Sequence, residues 1–365
     1  MIRLALVINY IAQNGPSSVV MHIIRNLDLS EFDVTLITLF QENDVELIAD
    51  LRQHNIAVYE CKTLSRRSCM LANNREFEAY IANGNYDVIH SHGFIPDILV
   101  SRLSTAAVKI STVHNNMFED YIASYGLLNS VMMIPLHMAA LKKMAVCVCC
   151  SHSVYSVMRK KLKNAICINN GVDRSQAAHC VTKQELGIPE YARVFIYVGW
   201  LSRGKRIRQL IKEFKLAHKE NEYLLIIGEG AEEQACRLLA DEHILVLGNQ
   251  KDTGAYLAIS DVYTSASMTE GFSISVLEAL SHGLKLLLSD IPSHREVLSG
   301  CDTYLGELYA QGQYEQAMRR LRTKWSTDTK ERISNVQMAC YSGAEMARQY
   351  ATLYCKRKRS AVAES

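Results

Sequence analysis

The feature that most constrains the fold is a series of short, almost uninterrupted apolar runs with helix-like stretches between them. The runs consist mainly of Val, Ile, Leu and Cys, without the alternation of apolar and polar residues that a half-exposed strand shows. Strands buried on both faces have this composition, as in a parallel sheet covered by helices. The pattern therefore predicts repeated βα units and a doubly wound α/β fold. The first predicted strands are residues 2–8, 33–39, 56–59, 87–90, 108–113, 145–150 and 165–168.

The same rhythm starts a second time after residues 170–188, a polar stretch that opens with the turn-forming pair Asn170-Gly171. A chain of 365 residues is also too long for one core of ordinary size. We therefore predict two Rossmann-like domains, residues 1–172 and 173–339, with a C-terminal helix at about residues 340–358 that joins the first domain. The second series of predicted strands is 194–198, 223–227, 244–247, 261–264 and 284–288.

Composition excludes several classes of protein. The formal net charge of +2 gives no electrostatic reason to expect nucleic acid as a partner. The eleven cysteines are odd in number and scattered, which favours free thiols in a reducing cytosol. Cys147, Cys149 and Cys150 form a tight cluster, but no second ligand pair accompanies them, so no metal site is predicted. The apolar run at the N-terminus ends in polar residues without a cleavage site, so no signal peptide is predicted.

The strongest chemical motif is Glu270-Gly-Phe-Ser-Ile-Ser-Val-Leu-Glu278, which follows a predicted strand and opens a helix. Gly271 lets the backbone approach a ligand closely, and the amides that follow it at the helix N-terminus suit a diphosphate. Glu278 can accept two hydrogen bonds from a ribose diol, and Glu270 can accept them from sugar hydroxyls. An acidic helix start without any ligand is the alternative, since carboxylates favour the first turn.

The second motif is Val198-Gly-Trp-Leu-Ser-Arg-Gly-Lys205, directly after the first strand of the second domain. Ligands bind at this edge of the sheet in open α/β folds. Lys205 supplies a point charge for phosphate there, and Arg203 can bind two oxygens at once. The alternative is a solvated basic turn, an interpretation that fits Arg206 and Arg208 better than Lys205.

The third motif is the loop at residues 9–18, after the first strand of the first domain, where Gly15 can offer amides to a phosphate or an acceptor. The loop lacks the pattern Gly-x-Gly-x-x-Gly, which disfavours a nicotinamide dehydrogenase, and it is not a Walker loop.

Three histidines, His90, His92 and His114, stand at the ends of predicted strands in the first domain. Single histidines are more often structural than catalytic, and these three lack a nearby carboxylate that would suggest a metal centre. His114 is the best candidate for chemistry, because it follows a clean buried strand.

Residues 127–150 are the most apolar segment, but polar residues and Pro135 interrupt it, so no run of about 20 apolar residues is left to span a membrane. We predict a helix followed by a buried strand. The segment contains a set of apolar residues with two lysines at its end. These residues either form a surface that rests on anionic lipid or take part in ordinary helix packing within the first domain. The set is Met132, Met133, Leu136, Met138, Leu141, Lys142 and Lys143. The basic stretch at residues 356–359 can add about 1 kcal/mol of lipid attraction per charge, or be a solvated tail.

In spacing and order these motifs resemble those of the family 4 glycosyltransferases, a retaining family with the GT-B fold. The resemblance covers nearly the whole chain and is strongest between residues 194 and 296. There it rests on Gly199…Lys205, Ile227-Gly-Glu-Gly230, Leu247-Gly-Asn, Ala258-Ile-Ser-Asp261, Glu270…Glu278 and Ser289-Asp-Ile-Pro292. In the first half it rests on Asn14-Gly-Pro16, Asp87-Val-Ile-His-Ser-His92, Val113-His114 and Asn170-Gly-Val-Asp173.

The resemblance implies two Rossmann-like domains that face each other across a cleft, the first for the acceptor and the second for the donor. It implies a retaining, metal-independent glycosyltransferase without a cofactor. The donor would be a nucleotide-sugar, commonly a UDP-sugar, that gives up a hexose or N-acetylhexosamine. The acceptor would be a saccharide or lipid-linked saccharide in bacterial surface polysaccharide biosynthesis. The enzyme would be cytoplasmic, with peripheral contact to the anionic inner face of the membrane.

Residue roles follow from the same resemblance. Lys205 would bind the donor diphosphate, Glu278 the ribose and Glu270 the donor sugar. The other implied positions are Gly15 beneath the diphosphate, His114 near the donor sugar and acceptor, and the backbone of Gly271, Phe272 and Ser273 at the phosphates and sugar.

Trp200 departs from the family, whose members commonly have an arginine here that shares the diphosphate with the lysine. Either Arg203 takes over part of that role, or activity is reduced. The sequence leaves two alternatives to a transferase. One is a nucleotide-sugar epimerase of the same architecture. The other is a non-catalytic relative that binds a nucleotide-sugar, and Trp200 favours this second alternative.

Overall fold

A computed structural model describes residues 1–12, 14–41, 45–62, 74–175, 179–325 and 330–363. The chain divides into two compact units. The first consists of Met1–Gly171 together with Gly343–Ser365, and the second of Val172–Ser342.

The first unit is built on a seven-stranded parallel sheet in the order β3-β2-β1-β4-β5-β6-β7. β1 lies between β2 and β4, with Leu4 opposite Val34 on one side and Val88 on the other. Because helices cover both faces, the central strands are apolar along most of their length. The strands are β1 Ile2–Ile8, β2 Phe32–Thr38, β3 Ala57–Glu60, β4 Val88–His92, β5 Val108–Val113, β6 Val146–Cys149 and β7 Ala165–Cys167. The described helices between and after them are α1 Gly15–Asn26, α2 Val45–Gln53, α3 Arg75–Gly84, α4 Phe94–Arg102, α5 Met117–Leu141 and α6 His152–Met158.

The second unit contains a six-stranded parallel sheet in the order β10-β9-β8-β11-β12-β13. The chain moves outward from β8 to β10 and then returns to β11 on the other side of β8. This reversal places the topological switch point, where open α/β sheets bind ligands, at the carboxyl ends of β8 and β11. The strands are β8 Arg193–Val198, β9 Glu222–Ile227, β10 Ile244–Gly248, β11 Val262–Ser265, β12 Lys285–Ser289 and β13 Gly306–Tyr309. The helices are α7 Ile207–Ala217, α8 Glu233–Leu239, α9 Thr253–Ala258, α10 Ile274–Ser281, α11 Pro292–Ser299, α12 Tyr314–Thr323 and α13 Lys330–Tyr341.

Amphipathic α7 shows how the sequence positions these elements. Its apolar residues recur every three or four positions, and Ile207, Leu210 and Phe214 are completely buried. The Phe214 ring meets Phe195 of β8 edge-to-face, with 5.4 Å between centroids. Burying each such side chain stabilises the fold by about 1.5–3 kcal/mol, so α7 is fixed against β8 and the loop between them is short.

The last helix, α14 Gly343–Ala363, belongs to the first unit and packs against α1. Tyr350 and Tyr354 of this helix are fully buried. The alternative of a solvated tail at residues 356–359 is wrong at Lys358, because its ammonium group bonds to Asp87 at 3.0 Å. This part of the chain continues the helix and is held to the body of the unit.

Candidate active site

Two glycines let the loops at the switch point pack backbone against backbone. A Cβ on Gly228 would lie 1.9 Å from the carbonyl oxygen of Gly199, and one on Gly230 would lie 2.4 Å from that of Leu201. Both glycines also have positive φ, at 136° and 150°. The loop after β8 therefore rests on the loop after β9, and continues into a single 3₁₀ turn at Arg203–Lys205.

Lys205 and Glu270 meet at this edge of the sheet. Lys205 Nζ donates a hydrogen bond to Glu270 Oε1 at 2.5 Å, and the side chains are 29% and 14% exposed. Their loops are joined as well, since the Met268 amide donates to the Gly204 carbonyl at 2.9 Å. Burial alone would raise the pKa of Glu270, but the charge and hydrogen bond of Lys205 outweigh it and hold that pKa below its usual value. The Glu270 carboxylate is therefore ionised at neutral pH.

Three further residues surround Glu270, and none of them was assigned a role in the site from the sequence. The Ser267 hydroxyl hydrogen-bonds to Glu270, and Ser289 Oγ donates to the Ser267 carbonyl at 2.7 Å. His294 is 1% exposed, and its Nδ1 donates to the Ser289 carbonyl at 2.8 Å. Its Nε2 is buried without a partner among the described residues. The signal was present, because Ser289 ends a strand at the ligand edge and His294 stands in the first turn of the next helix.

The helix that follows Glu270 has an uncapped start. α10 begins at Ile274, and the side chain of the N-cap Ser273 accepts no hydrogen bond from an amide of the first turn. The first amides of a helix have no partner within the helix, so this end suits an anion. Phe272 is 3% exposed and meets Tyr341 edge-to-face at 5.3 Å, which anchors the turn.

Glu278 lies one turn into α10, on the helix that carries the uncapped start. Burial raises the pKa of Glu278 to about 7. Tyr263 of β11 hydrogen-bonds to two neighbouring elements. Its hydroxyl lies 3.3 Å from the Val198 carbonyl and 3.1 Å from Ser275 Oγ. These bonds connect the end of β8, β11 and α10.

Arg203 points elsewhere. Its guanidinium lies 3.7 Å from Glu232, which also pairs with Arg208 at 3.5 Å, and the Arg203 side chain is 93% exposed. Both arginines line an open cavity of about 440 Å³, whose lining does not include Lys205. Trp200 is 57% exposed. The structure thus brings together Lys205 and Glu270 but not Arg203, whose predicted role in donor binding stays a prediction.

The first unit holds the two remaining predicted residues. Gly15 opens α1, where the Asn14 side chain accepts a hydrogen bond from the Ser17 amide at 3.0 Å and caps the helix. His114 follows β5, and its Nε2 lies 3.1 Å from Nδ1 of His92 at the end of β4. Burial lowers the pKa of His114 to about 4, so the ring is neutral at physiological pH.

The exposed apolar surface of the first unit lies earlier in the chain than predicted. Leu141 is fully buried, and Met133, Leu136 and Met138 are only partly exposed. The exposed apolar side chains of α5 are Ile122, Tyr125, Leu127, Leu128, Val131 and Met132. The later turns of α5 therefore pack against the rest of the unit as an ordinary helix, whereas the apolar side chains at residues 122–132 are exposed.

By length and composition, α5 is also apolar enough to cross a membrane. An 18-residue window has a mean hydropathy of 1.2, and 17% of it is buried. From the sequence a span was not expected here, because Asn129, Pro135, His137, Lys142 and Lys143 interrupt the segment from Leu127 to Cys150. In the structure the helical segment begins ten residues earlier, at Met117, and ends before the two lysines, but Gly126 inside it has a non-helical backbone (φ 78°, ψ 166°), so two helices meet at a kink there.

Within the described ranges, no three His, Cys, Asp or Glu side chains are arranged to hold a metal ion. Cys147, Cys149 and Cys150 are buried free thiols. Burial raises the pKa of Cys149 to about 12, which keeps it protonated. Metal independence stays a prediction.

Comparison with known families agrees with this fold. Residues 13–176 match the family described as Glycosyltransferase Family 4, and residues 181–335 match the family described as Glycosyl transferases group 1. With two doubly wound parallel sheets, these matches define a glycosyltransferase of the GT-B type, which confirms the predicted fold class and transferase activity. The chain belongs to the family 4 glycosyltransferases.

Individual relatives are distant in sequence. The O-antigen biosynthesis glycosyltransferase WclY of Escherichia coli is 24% identical over 310 residues, 81% of this chain and 82% of that protein. The UDP-Gal:alpha-D-GlcNAc-diphosphoundecaprenol alpha-1,3-galactosyltransferase of the same species is 24% identical over 288 residues, 72% of each chain. Among solved structures, Anabaena HepE in complex with UDP-glucose has a TM-score of 0.78 at 14% identity, over 98% of this chain and 100% of that chain. The last likeness shows the fold.

Proposed function

We propose that the protein is a retaining, metal-independent enzyme that transfers a hexose or N-acetylhexosamine from a UDP-sugar. Its acceptor is a saccharide or lipid-linked saccharide of a bacterial surface polysaccharide. The observation that carries the proposal is the Lys205–Glu270 pair at the switch point, next to the uncapped start of α10. A cation, helix amides and a carboxylate are the groups that a diphosphate linked to a sugar requires.

The pair keeps enough hydrogen-bonding capacity to receive a donor. Its bond uses one of the three N–H groups of Lys205 and one carboxylate oxygen of Glu270. The remaining N–H groups bind diphosphate oxygens, and the second carboxylate oxygen accepts from sugar hydroxyls. Glu278, once ionised, accepts from the ribose diol.

Catalysis then consists mainly of stabilising the leaving group. As the bond between the sugar and the diphosphate breaks, negative charge grows on the departing phosphate. Lys205 and the first amides of α10 are positioned to stabilise that charge without a metal ion. The departing phosphate oxygen accepts the acceptor's proton on the same face, so the anomeric configuration is retained and no strong base is needed beside the reacting carbon.

The names of the relatives support the choice of substrates. HepE is described in complex with UDP-glucose, and the galactosyltransferase uses UDP-Gal and a diphosphoundecaprenol acceptor. WclY is an O-antigen enzyme. We extend these properties to this chain as a UDP-sugar donor and a lipid-linked acceptor.

We also propose that the enzyme is cytoplasmic and that α5 rests on the anionic inner face of the membrane without crossing it. Basic side chains lie near both ends of α5, with exposed Lys142 and Lys143 after the helix and Lys161 Nζ 5.0 Å from the Phe118 ring near its start, where Glu119 and Asp120 are acidic. Spanning the bilayer would separate Tyr121 from His137, whose buried side chains are hydrogen-bonded at 2.7 Å. A helix held this way can lie in the interface.

A donor screen tests the proposal. The purified protein is mixed with UDP-, GDP- and ADP-sugars in the presence of EDTA, and thermal stabilisation and slow nucleotide release are followed. We expect one UDP-sugar to stabilise the wild type but neither Lys205→Ala nor Glu278→Ala. With an acceptor, the product anomer should match that of the donor sugar.

Other outcomes would overturn the proposal. Inverted product, or activity that EDTA abolishes, would contradict the retaining or metal-independent mechanism. A new nucleotide-sugar epimer without transfer would identify an epimerase. Binding of a donor without any turnover would identify the non-catalytic relative that Trp200 favours.

A further inference from the structure

A hydrogen bond between two histidine rings decides which nitrogen of His114 carries the proton. His92 Nδ1 and His114 Nε2 are 3.1 Å apart, and their ring centroids are 5.3 Å apart. Burial lowers the pKa of both rings, so both are neutral at physiological pH. One proton therefore lies between the two nitrogens, and either ring can donate it.

The other nitrogen of His92 distinguishes the two arrangements. His92 is 1% exposed, and its Nε2 is buried with no partner in the described part of the chain. If His114 donated, His92 would have its proton on Nε2, leaving a buried N–H without an acceptor. If His92 donates from Nδ1, only a lone pair is left without a donor. Orphaned buried N–H groups are the rarer of the two.

The His92 ring is held in place by a second histidine and by α14. The His90 ring lies 4.1 Å from that of His92, centroid to centroid. His90 Nδ1 is 2.8 Å from the Tyr354 hydroxyl, and its Nε2 is 2.8 Å from Thr112 Oγ1. Thr112 in turn bonds to the Tyr350 hydroxyl at 2.8 Å. All four residues are buried, so this network fixes the ring against which His92 packs.

We propose that His92 is a positioning residue that donates its Nδ1 proton to His114 Nε2 and thereby makes the Nδ1–H of His114 a hydrogen-bond donor to the substrate. This inference deepens the proposed function and rests on it for the substrate. His114 then stabilises negative charge or orients a hydroxyl oxygen, and it does not remove a proton from the acceptor. That role agrees with a mechanism in which the departing phosphate accepts the proton.

Nitrogen-15 NMR of the free protein tests the tautomer without any assay of activity. The histidine rings are labelled, and the His114 signals are assigned by their loss in His114→Asn. We expect His114 to be protonated at Nδ1 and bare at Nε2. Protonation at Nε2 would overturn the proposal, whether or not the protein transfers sugar.

Two substitutions of His92 test its effect on turnover. In His92→Asn the side-chain amide can donate from the place of Nδ1, and in His92→Leu no donor remains. In His92→Leu we expect the proton of His114 to be no longer confined to Nδ1. The variant should lower kcat about 100-fold, the scale of one misplaced preorganised donor, with little change in KM. His92→Asn should retain the tautomer and most of kcat.

Equal losses of kcat in the two variants would overturn the positioning role. Thermal unfolding checks that each variant folds; if His92→Leu does not, the wild-type spectrum and His92→Asn still decide the proposal. Failure of the proposed function gives a different result. An inactive wild type with the expected tautomer would reject the transferase mechanism, but the hydrogen bond from His92 to His114 would still be confirmed.

Discussion

Lys205 Nζ lies 2.5 Å from Glu270 Oε1, so a cation and a carboxylate separated by 65 positions in the chain meet where β8 and β11 end. The pair fixes the ammonium group at the edge of the sheet where ligands bind in open α/β folds. A positive charge held at such a place can stabilise a leaving phosphate without reorganisation during the reaction.

Removal of the lysine charge is expected to lower kcat. Lys205→Ala should reduce kcat about 100-fold or more, because a preorganised group that stabilises the leaving phosphate is lost. The measurement is steady-state UDP release at saturating donor. Arg208→Ala is the matched control, since Arg208 pairs with Glu232 instead of Glu270 and its loss should leave kcat unchanged. Near wild-type turnover in Lys205→Ala would reject the assignment.

The binding of donor should depend on pH through Glu278. Burial raises the pKa of Glu278 to about 7, so this carboxyl is mostly protonated below that pH and mostly ionised above it. Since the role proposed for the ionised form is to accept hydrogen bonds from both ribose hydroxyls, donor affinity should rise between about pH 6 and pH 8, by up to about tenfold for one unit of pKa displaced. Calorimetric titration at several pH values measures it. Glu278→Gln should bind the donor weakly, and its donor affinity should not change with pH. If the affinity of that variant still rose with pH as in the wild type, another group would be responsible for the titration.

The same group makes stability depend on pH. The folded protein keeps the Glu278 proton up to about pH 7, whereas the unfolded chain loses it near 4.5, the ordinary pKa of a glutamate. Folded protein binds more protons between these values, so the free energy of unfolding should fall as pH rises through this interval. Denaturant unfolding of wild type and Glu278→Gln at both ends of the interval checks the sign. The variant should be relatively more stable at the upper end, and the opposite order would contradict the raised pKa.

Restoring a charge at position 200 should strengthen donor binding. Trp200 is 57% exposed, so its replacement loses little packing. Trp200→Arg should improve donor affinity about tenfold, because a guanidinium can bind two phosphate oxygens at once. Trp200→Ala is the control, because it removes the indole ring without adding a charge and so shows how much of the gain in affinity comes from loss of the ring alone. Equal affinities of the arginine and alanine variants would mean that position 200 does not reach the diphosphate.

Much of the fold was predictable, because strands buried on both faces leave a strong signal. The strands predicted at residues 2–8 and 108–113 have the same bounds in the structure as β1 and β5. β13 was missed because it starts at Gly306, a poor strand former, and its sequence Gly-Glu-Leu-Tyr is not an uninterrupted apolar run. That glycine is needed there, since a Cβ would lie 1.9 Å from the Leu286 carbonyl oxygen of β12.

The site was predictable in part. Lys205, Glu270 and Glu278 stand in local motifs at strand ends, and the resemblance to a family assigned them roles. The contact between Lys205 and Glu270, the Arg203–Glu232 pair and the place of His294 depend on how distant segments fold together. Local sequence does not encode those distances.

The exposed apolar stretch of α5 should bind anionic membranes. Leu128 is 91% exposed in the first unit, and Leu216 is 83% exposed in the second. Because transfer of a carboxylate into the bilayer interface is costly, Leu128→Glu should reduce binding to vesicles that contain phosphatidylglycerol, as measured by flotation. Leu216→Glu makes the same change on another surface and should bind like the wild type. Lys142→Glu with Lys143→Glu should weaken binding further by about 1 kcal/mol per lost charge, and added salt should mimic that loss. If Leu128→Glu floats as the wild type does, α5 does not contact lipid, and another partner must cover its apolar side chains.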